Sequence, residues 1–219
     1  LADRYAAKRL EADLPCKPSG DDDRACARAF VERFAARAFR RPPAQDDLDP
    51  LMALYDDARK ERGLRPALAQ VVRAVLLSPR FQYRWERADA PAVVANGLVA
   101  FDAYELASRL SYFLWQSMPD EALFAAAARG DLRDTAQLAA HAARLLQDPE
   151  RGPRGIKAFF EAWLPLHDLG RKPASDPRQA VEERLLGSLL AFVDDLVRGA
   201  GDHRYATMLG ADYAFVDGT

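Results

Sequence analysis

The chain has 219 residues, enough for one large domain or two small ones, and its 49% apolar and 29% charged residues are typical of a globular protein. A formal net charge of −2 gives no electrostatic reason to expect binding to nucleic acid or to an anionic membrane. No stretch approaches the ~20 apolar residues of a membrane-spanning helix, so we predict neither a nucleic-acid partner nor a transmembrane segment.

The first half of the chain is predicted to be helical. Strong helix formers and apolar residues at helical spacing mark helices over residues 2–13, 27–38, 48–58 and 67–76. The second of these is expected to end at Arg40, because the prolines that follow Arg41 push the preceding residue out of the α region. Ser78-Pro79 is typical of an N-cap followed by proline at the first helical position, and it predicts a short helix through Trp85.

Two capping patterns open the second half. Asp102 is followed three residues later by Glu105, which predicts a capping box for a helix that ends at Trp115. Ser117 and Asp120 have the same spacing and predict a second capped helix.

The remaining elements are also helical. Helices are predicted over residues 135–146, 155–164 and 177–197, the last of them capped at Asp176. Strand signals are nearly absent, and residues 213–216 are the one candidate. The sequence therefore predicts an all-α fold, an irregular bundle of about ten helices with a short extended segment at its C-terminal end.

An uncharged stretch over residues 90–97, which contains proline, asparagine and glycine, divides the helices into two groups. It predicts an N-terminal helical subdomain over residues 1–89 and a C-terminal one over residues 98–219. The second is expected to continue into a further segment of the polypeptide.

Two cysteines, Cys16 and Cys26, flank a short loop that contains proline and glycine. Such a loop between two helices brings their ends within reach of a disulfide. A disulfide there is typical of an oxidising compartment, whereas two unrelated thiols would suit a cytosolic protein. We predict the Cys16–Cys26 disulfide, contained in the N-terminal subdomain, and with it an extracytoplasmic protein.

The segment from Tyr104 to Trp115 is the densest motif in the sequence. Its helix would be apolar on nearly every side, which predicts that Arg109 is largely buried. A buried guanidinium needs a carboxylate or several carbonyls around it, and Glu105 lies one turn away. Two interpretations stay open: an arginine that binds an anion, or an ion pair that holds helices in register.

The segment Phe81-Gln-Tyr-Arg-Trp-Glu86 is the second dense motif. Its aromatic and charged residues are suited to line a polar pocket, or they belong to a helix end in which Glu86 pairs with Arg109. Together the two motifs define a candidate polar pocket, which consists of Tyr83, Arg84, Glu86, Glu105, Arg109, Tyr112 and Trp115.

No metal or cofactor site is predicted in this segment. The three histidines, His141, His167 and His203, fall on separate elements without a second ligand at metal-binding spacing. The c-type haem motif Cys-x-x-Cys-His is absent, as are a phosphate-binding glycine loop and a Gly-x-Ser-x-Gly elbow. The catalytic residues therefore stay unassigned.

Three motifs in fixed order carry a family resemblance. They are Arg37-Ala-Phe-Arg-Arg-Pro42, Leu77-Ser-Pro-Arg-Phe-x-Tyr-Arg-x-Glu86 and the long segment from Tyr104 to Asp120. The series resembles secreted proteins of planctomycete and myxobacterial type that are built from consecutive domains of unknown function, some with a c-type cytochrome module. The likeness covers most of residues 24–216 and implies an extracytoplasmic, multi-domain protein with haem, if any, on a module outside this segment.

The resemblance leaves two functions open. The first is a helical module of a redox-linked enzyme whose active site needs another segment. The second is a non-catalytic binding or scaffold module of a cell-surface assembly.

The last apolar residues, Tyr213, Phe215 and Val216, follow a stretch rich in glycine. An apolar segment of this kind frays unless it is packed. We therefore expect residues 211–216 to be extended and packed against a partner, either the remainder of the same gene product or a second chain.

Overall fold

The computed structural model describes residues 4–5, 8–17, 23–84, 100–164, 166, 173, 175–201 and 203–216. Within these ranges the secondary structure is helical and contains no strand, which confirms the all-α prediction. The helices are α1 (Leu10–Asp13), α2 (Asp23–Phe39), α3 (Gln45–Glu61), α4 (Leu64–Leu77), α5 (Pro79–Gln82), α6 (Ala103–Trp115), α7 (Glu121–Arg129), α8 (Thr135–Leu146), α9 (Gly152–Trp163), α10 (Gln179–Arg198) and α11 (Tyr205–Gly210), with a 3-10 turn at Asp131–Arg133.

The chain forms two compact units, Leu1–Glu105 and Leu106–Thr219, so the division falls within α6. The predicted linker at residues 90–97 lies outside the described part of the chain.

The core of the N-terminal unit lies between α2, α3 and α4. Helix α4 contributes its apolar residues at helical spacing, and the side chains of Leu68, Val71, Val72 and Val75 are all buried. Phe30 and Val31 of α2 and Tyr55 of α3 pack against them. Burying a large apolar side chain contributes about 1.5–3 kcal/mol, so this cluster is the main source of stability in the unit.

The predicted disulfide between Cys16 and Cys26 is present, with 5.8 Å between the two Cα atoms. Asp23, which lies between the two cysteines, is buried at the start of α2 and accepts hydrogen bonds from the Tyr55 hydroxyl and, at 2.6 Å, from Arg59 Nε. Burial, together with the hydrogen bond to Asp23, raises the pKa of Tyr55 to about 12. The start of α2 is thus held by the disulfide at Cys26 and by the hydrogen bonds of Asp23, three residues earlier.

Alkylation tests the disulfide in solution. We expect iodoacetamide to modify neither cysteine in the denatured, unreduced protein and both after reduction, as seen in the intact mass. Two alkylated thiols without reduction would contradict the disulfide and remove the main argument for an oxidising compartment.

In the C-terminal unit, α9 packs against α10 through Ile156, Phe160 and Val193. Two glycines of α9 allow a close approach to neighbouring backbone. A Cβ on Gly155 would lie 1.8 Å from the carbonyl oxygen of Leu114, and one on Gly152 would lie 2.2 Å from that of Leu146. The helix therefore sits directly against the ends of α6 and α8.

The predicted capping box of α6 is confirmed. The N–H of Asp102 donates to Glu105 Oε2 at 2.8 Å, and the N–H of Glu105 donates to Asp102 Oδ1 at 2.7 Å. Asp102 also forms an ion pair with Arg41.

The cap predicted at Ser117 is wrong. Helix α7 begins at Glu121, and Asp120 is its N-cap, with Oδ1 accepting from the N–H of Leu123 at 2.9 Å. Pro119 explains the difference, because it disfavours helical geometry at Met118, the residue that a cap at Ser117 would place first in the helix.

Other predicted helix boundaries also differ from the observed ones. Helix α5 ends at Gln82 rather than at Trp85, which lies outside the described residues, and α9 begins at Gly152 rather than at residue 155. Asp176 accepts from the N–H of Arg178 in the turn that leads into α10, whose N-cap is Arg178.

Candidate functional site

The prediction that Arg109 is buried is wrong. Helix α6 turns Ala107, Ser111 and Trp115 inward, where all three are buried. Arg109 lies two residues from Ser111, about 200° around the helix, and is exposed. Phe113 lies on the same outer side of α6 and is also exposed. The apolar residues of this helix therefore do not all face the core.

The other residues of the candidate pocket have varied surroundings. Glu105 is buried and serves the capping box, whereas Tyr83 and Arg84 are exposed beyond the end of α5. Tyr112 is half-buried, and its carbonyl accepts from the backbone N–H and the side-chain amide of Gln116. Glu86 lies outside the described residues. The pocket as a set stays a prediction.

Trp115 is the member of that set with the most defined environment. Its side chain is buried, and its Nε1–H donates to the carbonyl oxygen of Leu145 at 2.7 Å. The guanidinium carbon of Arg151 lies 4.5 Å from the ring centroid and that of Arg144 lies 5.9 Å from it. A guanidinium at these distances is attracted by the π-electrons of the ring.

The carboxylate of Asp120 pairs with one of the two guanidinium groups near Trp115. Arg144 donates to both carboxylate oxygens of Asp120, Nη1 to Oδ2 at 2.7 Å and Nη2 to Oδ1 at 3.1 Å. Burial acts to raise the pKa of Asp120, but the bonds from Arg144 and from the Leu123 N–H outweigh it and hold that pKa below its usual range. The cluster thus joins the cap of α7 to α8, an arrangement that stabilises the fold.

Sequence reasoning missed the role of Arg40 in the N-terminal unit. Its side chain is only 6% exposed, and its guanidinium donates to four backbone carbonyls. The acceptors are Ala38 (3.1 Å), Phe81 (3.2 Å), Arg80 (2.8 Å) and Tyr83 (2.8 Å). Arg40 therefore fixes the segment around α5 to the end of α2. Its place in the motif Arg37–Pro42 was visible in the sequence, but three of its four target carbonyls lie 40 to 43 residues away and were not.

In the part of the chain that the structure describes, no three His, Cys, Asp or Glu side chains are grouped so as to hold a metal ion. None of the helices there has the length and hydropathy to cross a membrane.

A surface of four large apolar side chains lies on the C-terminal unit. Phe159 and Trp163 are one turn apart on α9, and Tyr205 and Leu209 are one turn apart on α11. The ring centroids of Trp163 and Tyr205 are 5.9 Å apart, which joins the two pairs. All four residues are between 45% and 69% exposed. We call this group the aromatic surface.

Residues 211–216 are neither helix nor strand and pack on α10 of the same chain. The ring of Tyr213 contacts that of Phe192 at 5.3 Å, and its hydroxyl donates to Asp195 Oδ2 at 3.2 Å. The Ser188 hydroxyl donates to the carbonyl oxygen of Phe215. A partner for this segment outside these helices stays a prediction.

Comparison with known proteins agrees with the resemblance to domains of unknown function. Residues 26–86 match the family PSD5, described as a protein of unknown function (DUF1595), and residues 101–219 match PSD4, a protein of unknown function (DUF1592). Domains of this kind are found in planctomycete-type proteins. No curated protein and no solved structure matches the chain. Because the second match spans more than half of the 219 residues, the chain belongs to the DUF1592 family of proteins of unknown function.

Proposed function

We propose that this chain is a non-catalytic, helical docking module of an extracytoplasmic multi-domain protein. The observation that carries the proposal is the aromatic surface, on which Phe159, Trp163, Tyr205 and Leu209 are exposed together. Exposed apolar side chains that lie together on a folded surface mark interaction sites, whereas single exposed apolar residues need no explanation.

The composition of the aromatic surface favours a protein partner. Tryptophan and tyrosine dominate the residues whose truncation weakens protein interfaces most. Each aromatic side chain buries about 150–250 Å² when it is fully covered, which makes it a strong anchor. The net charge of −2 gives no electrostatic reason to favour a nucleic acid as the partner.

The aromatic surface is also held in place before a partner arrives. Phe159 packs edge-on against Phe160, with ring centroids 5.2 Å apart, and Phe160 belongs to the core between α9 and α10. A side chain that is already ordered loses little conformational entropy on binding, so more of the burial free energy is available for affinity.

Two further observations support the extracytoplasmic setting and the multi-domain context. The Cys16–Cys26 disulfide is typical of compartments outside the cytosol. The two successive matches to domains of unknown function agree with the consecutive-domain organisation that the sequence motifs imply. The partner predicted on residues 211–216 belongs to the same proposal, while the redox-linked enzyme stays a prediction of the resemblance alone.

Thiol labelling tests the docking module. Both native cysteines form the disulfide, so a single introduced cysteine is the reactive thiol. We expect a maleimide to label Leu209→Cys rapidly in the 219-residue chain and at least ten times more slowly in the intact gene product, where the docked domain covers the aromatic surface.

The matched control is Ala139→Cys, an exposed position on α8 outside the aromatic surface. Its labelling rate should be the same in both forms. If Leu209→Cys reacts at equal rates in the 219-residue chain and in the intact gene product, the docking proposal is wrong.

A further inference from the structure

The N-terminal segment of the chain packs on α2. We call the described residues from 4 to 16 the strap; they end at the first cysteine of the disulfide. Leu10 of the strap is fully buried and belongs to the same core cluster as Phe30 of α2. The ring of Tyr5 contacts that of Phe34, with centroids 5.4 Å apart. The strap therefore covers apolar side chains of α2.

The hydrogen bonds and ion pairs of the strap are internal. Its backbone bonds follow the helical pattern, as from the N–H of Arg9 to the carbonyl oxygen of Tyr5 at 2.8 Å. The Tyr5 hydroxyl donates to Asp13 Oδ2 at 2.7 Å, and Arg9 forms an ion pair with the same carboxylate. Among the described residues, no hydrogen bond or ion pair joins the strap to α2, α3 or α4. Apart from the chain itself, apolar contacts and the disulfide attach it to the unit.

The helices beneath the strap have their own contacts. Arg24 of α2 pairs with Asp56 of α3 at 2.8 Å, and the Tyr55 hydroxyl of α3 donates to Asp23 at the start of α2. The DUF1595 match begins within α2 and covers α3, α4 and α5, but it does not include the strap. The strap is thus an addition to a core that is held together without it.

The free-energy balance of the strap depends on the disulfide. A helix as short as the four residues of α1 is not stable alone in water, and ordering each residue of the strap costs conformational entropy. Burial of Leu10 offsets part of this cost. The disulfide keeps Cys16 close to α2 even when the strap is detached, so it lowers the entropy that the detached strap gains. Loss of the disulfide therefore favours the detached form.

We propose that the strap is a redox-sensitive element: reduction of the Cys16–Cys26 disulfide by a dithiol detaches it from α2, while the core of α2, α3 and α4 stays folded. The rings of Phe30 and Phe34, which stack with centroids 5.7 Å apart, then lose their cover. The proposal does not rest on the docking module, because the aromatic surface belongs to the other unit.

The exchange reaction begins at the more accessible cysteine. Cys26 is only 5% exposed, whereas Cys16 is half-buried. A thiolate of the dithiol attacks Sγ of Cys16, the S–S bond breaks, and Cys26 leaves as a thiolate that takes up a proton. The second thiol of the reductant then displaces Cys16 in the same way. The protein gains two thiols, and the dithiol becomes a disulfide.

Hydrogen exchange measured by mass spectrometry tests the proposal in the full chain. We expect dithiothreitol under native conditions to speed the exchange of the hydrogen-bonded amides of Arg9, Asp13 and Leu14 at least tenfold. The amides of α4 should exchange as before, because the core beneath the strap stays folded. The double variant Cys16→Ser/Cys26→Ser should show the fast exchange of the strap without any reductant.

The double variant is also the matched control for the reductant, and dithiothreitol should change nothing in it. Equal exchange of the strap in oxidised and reduced wild type would overturn the proposal, since apolar contacts alone would then hold the strap. An increase in α4 by the same factor would also overturn it, because the whole unit would then unfold. So would a disulfide that dithiothreitol leaves intact under native conditions. If the double variant does not fold, the reduced wild type decides.

Discussion

Replacing Gly155 with alanine should lower the free energy of unfolding by about 3 kcal/mol, at the upper end of what overpacking usually costs. The added Cβ would lie 1.8 Å from the carbonyl oxygen of Leu114 and 2.4 Å from its carbonyl carbon. These are backbone atoms at the end of α6, so no side-chain rotation relieves the overlap. The helices α6 and α9 would have to move apart, and the contacts at their junction would be lost.

Gly187 provides the matched control for Gly155→Ala. It lies inside α10, and an added Cβ there meets nothing within 4 Å. Alanine is a better helix former than glycine, so Gly187→Ala should stabilise the protein by about 0.5–1 kcal/mol. Urea unfolding followed by circular dichroism compares the two variants. Equal midpoints for both would show that α9 does not approach α6 as closely as described.

Removing the side chain of Arg40 should also cost about 3 kcal/mol. A hydrogen bond to a charged group contributes roughly 1.5–3 kcal/mol, and Arg40 donates to four carbonyls among the described residues. The total is smaller than the sum because Phe81 and Tyr83 are exposed and water regains access to their carbonyls. Arg40→Ala should therefore loosen the segment around α5 as well as lower the unfolding midpoint, which amide hydrogen exchange of residues 79–83 would detect.

Two variants separate the hydrogen bonds of Arg40 from its backbone geometry. Arg40 has φ +60° and ends α2 in the left-handed region, and the N–H of Arg41 bonds to the carbonyl oxygen of Ala36. Arg40→Gly should be about 1 kcal/mol less destabilising than Arg40→Ala, because glycine adopts this geometry without strain. Arg40→Lys keeps the charge but lacks the planar fork, so it should not restore the protection from exchange.

Arg24→Ala is a suitable control for the loss of an arginine. Arg24 is exposed and pairs with Asp56 on the surface, so its removal should change the unfolding midpoint little. If Arg40→Ala resembles Arg24→Ala in midpoint and in hydrogen exchange, the bonds to the carbonyls do not stabilise the segment.

Local patterns explain which elements of the fold were predictable. The apolar spacing in α2, α3 and α4, the capping box of Asp102 and Glu105 and the short loop between the two cysteines are all set by neighbours in the chain. Each is decided within a few residues, so the sequence shows it directly.

The failures at Ser117 and Arg109 have different causes. At Ser117 the capping pattern is present in the sequence, but Pro119 disfavours the helical geometry that a cap at Ser117 requires at Met118. At Arg109 the hydrophobicity of α6 did not distinguish the inner side from the outer one, because Phe113 is exposed beside Arg109. Which side faces the core depends on partner helices that are far away in the sequence.

Recognition of the aromatic surface depended on tertiary packing in the same way. It joins residues of α9 and α11 that are about 40 positions apart. No spacing rule within one helix brings Trp163 next to Tyr205. Such a surface is recognised only in the three-dimensional structure, whereas the helices that carry it can be predicted from the sequence.

The Cys16–Cys26 disulfide has a consequence for cleavage of the chain. A protease that cuts between residues 16 and 26 would leave the two pieces covalently joined through sulfur. The N-terminal piece carries Leu10, which is fully buried in the core with Phe30 and Val31, so it would also stay packed. In an environment rich in proteases, one cut in this loop would leave a nicked protein that migrates as a single species until it is reduced.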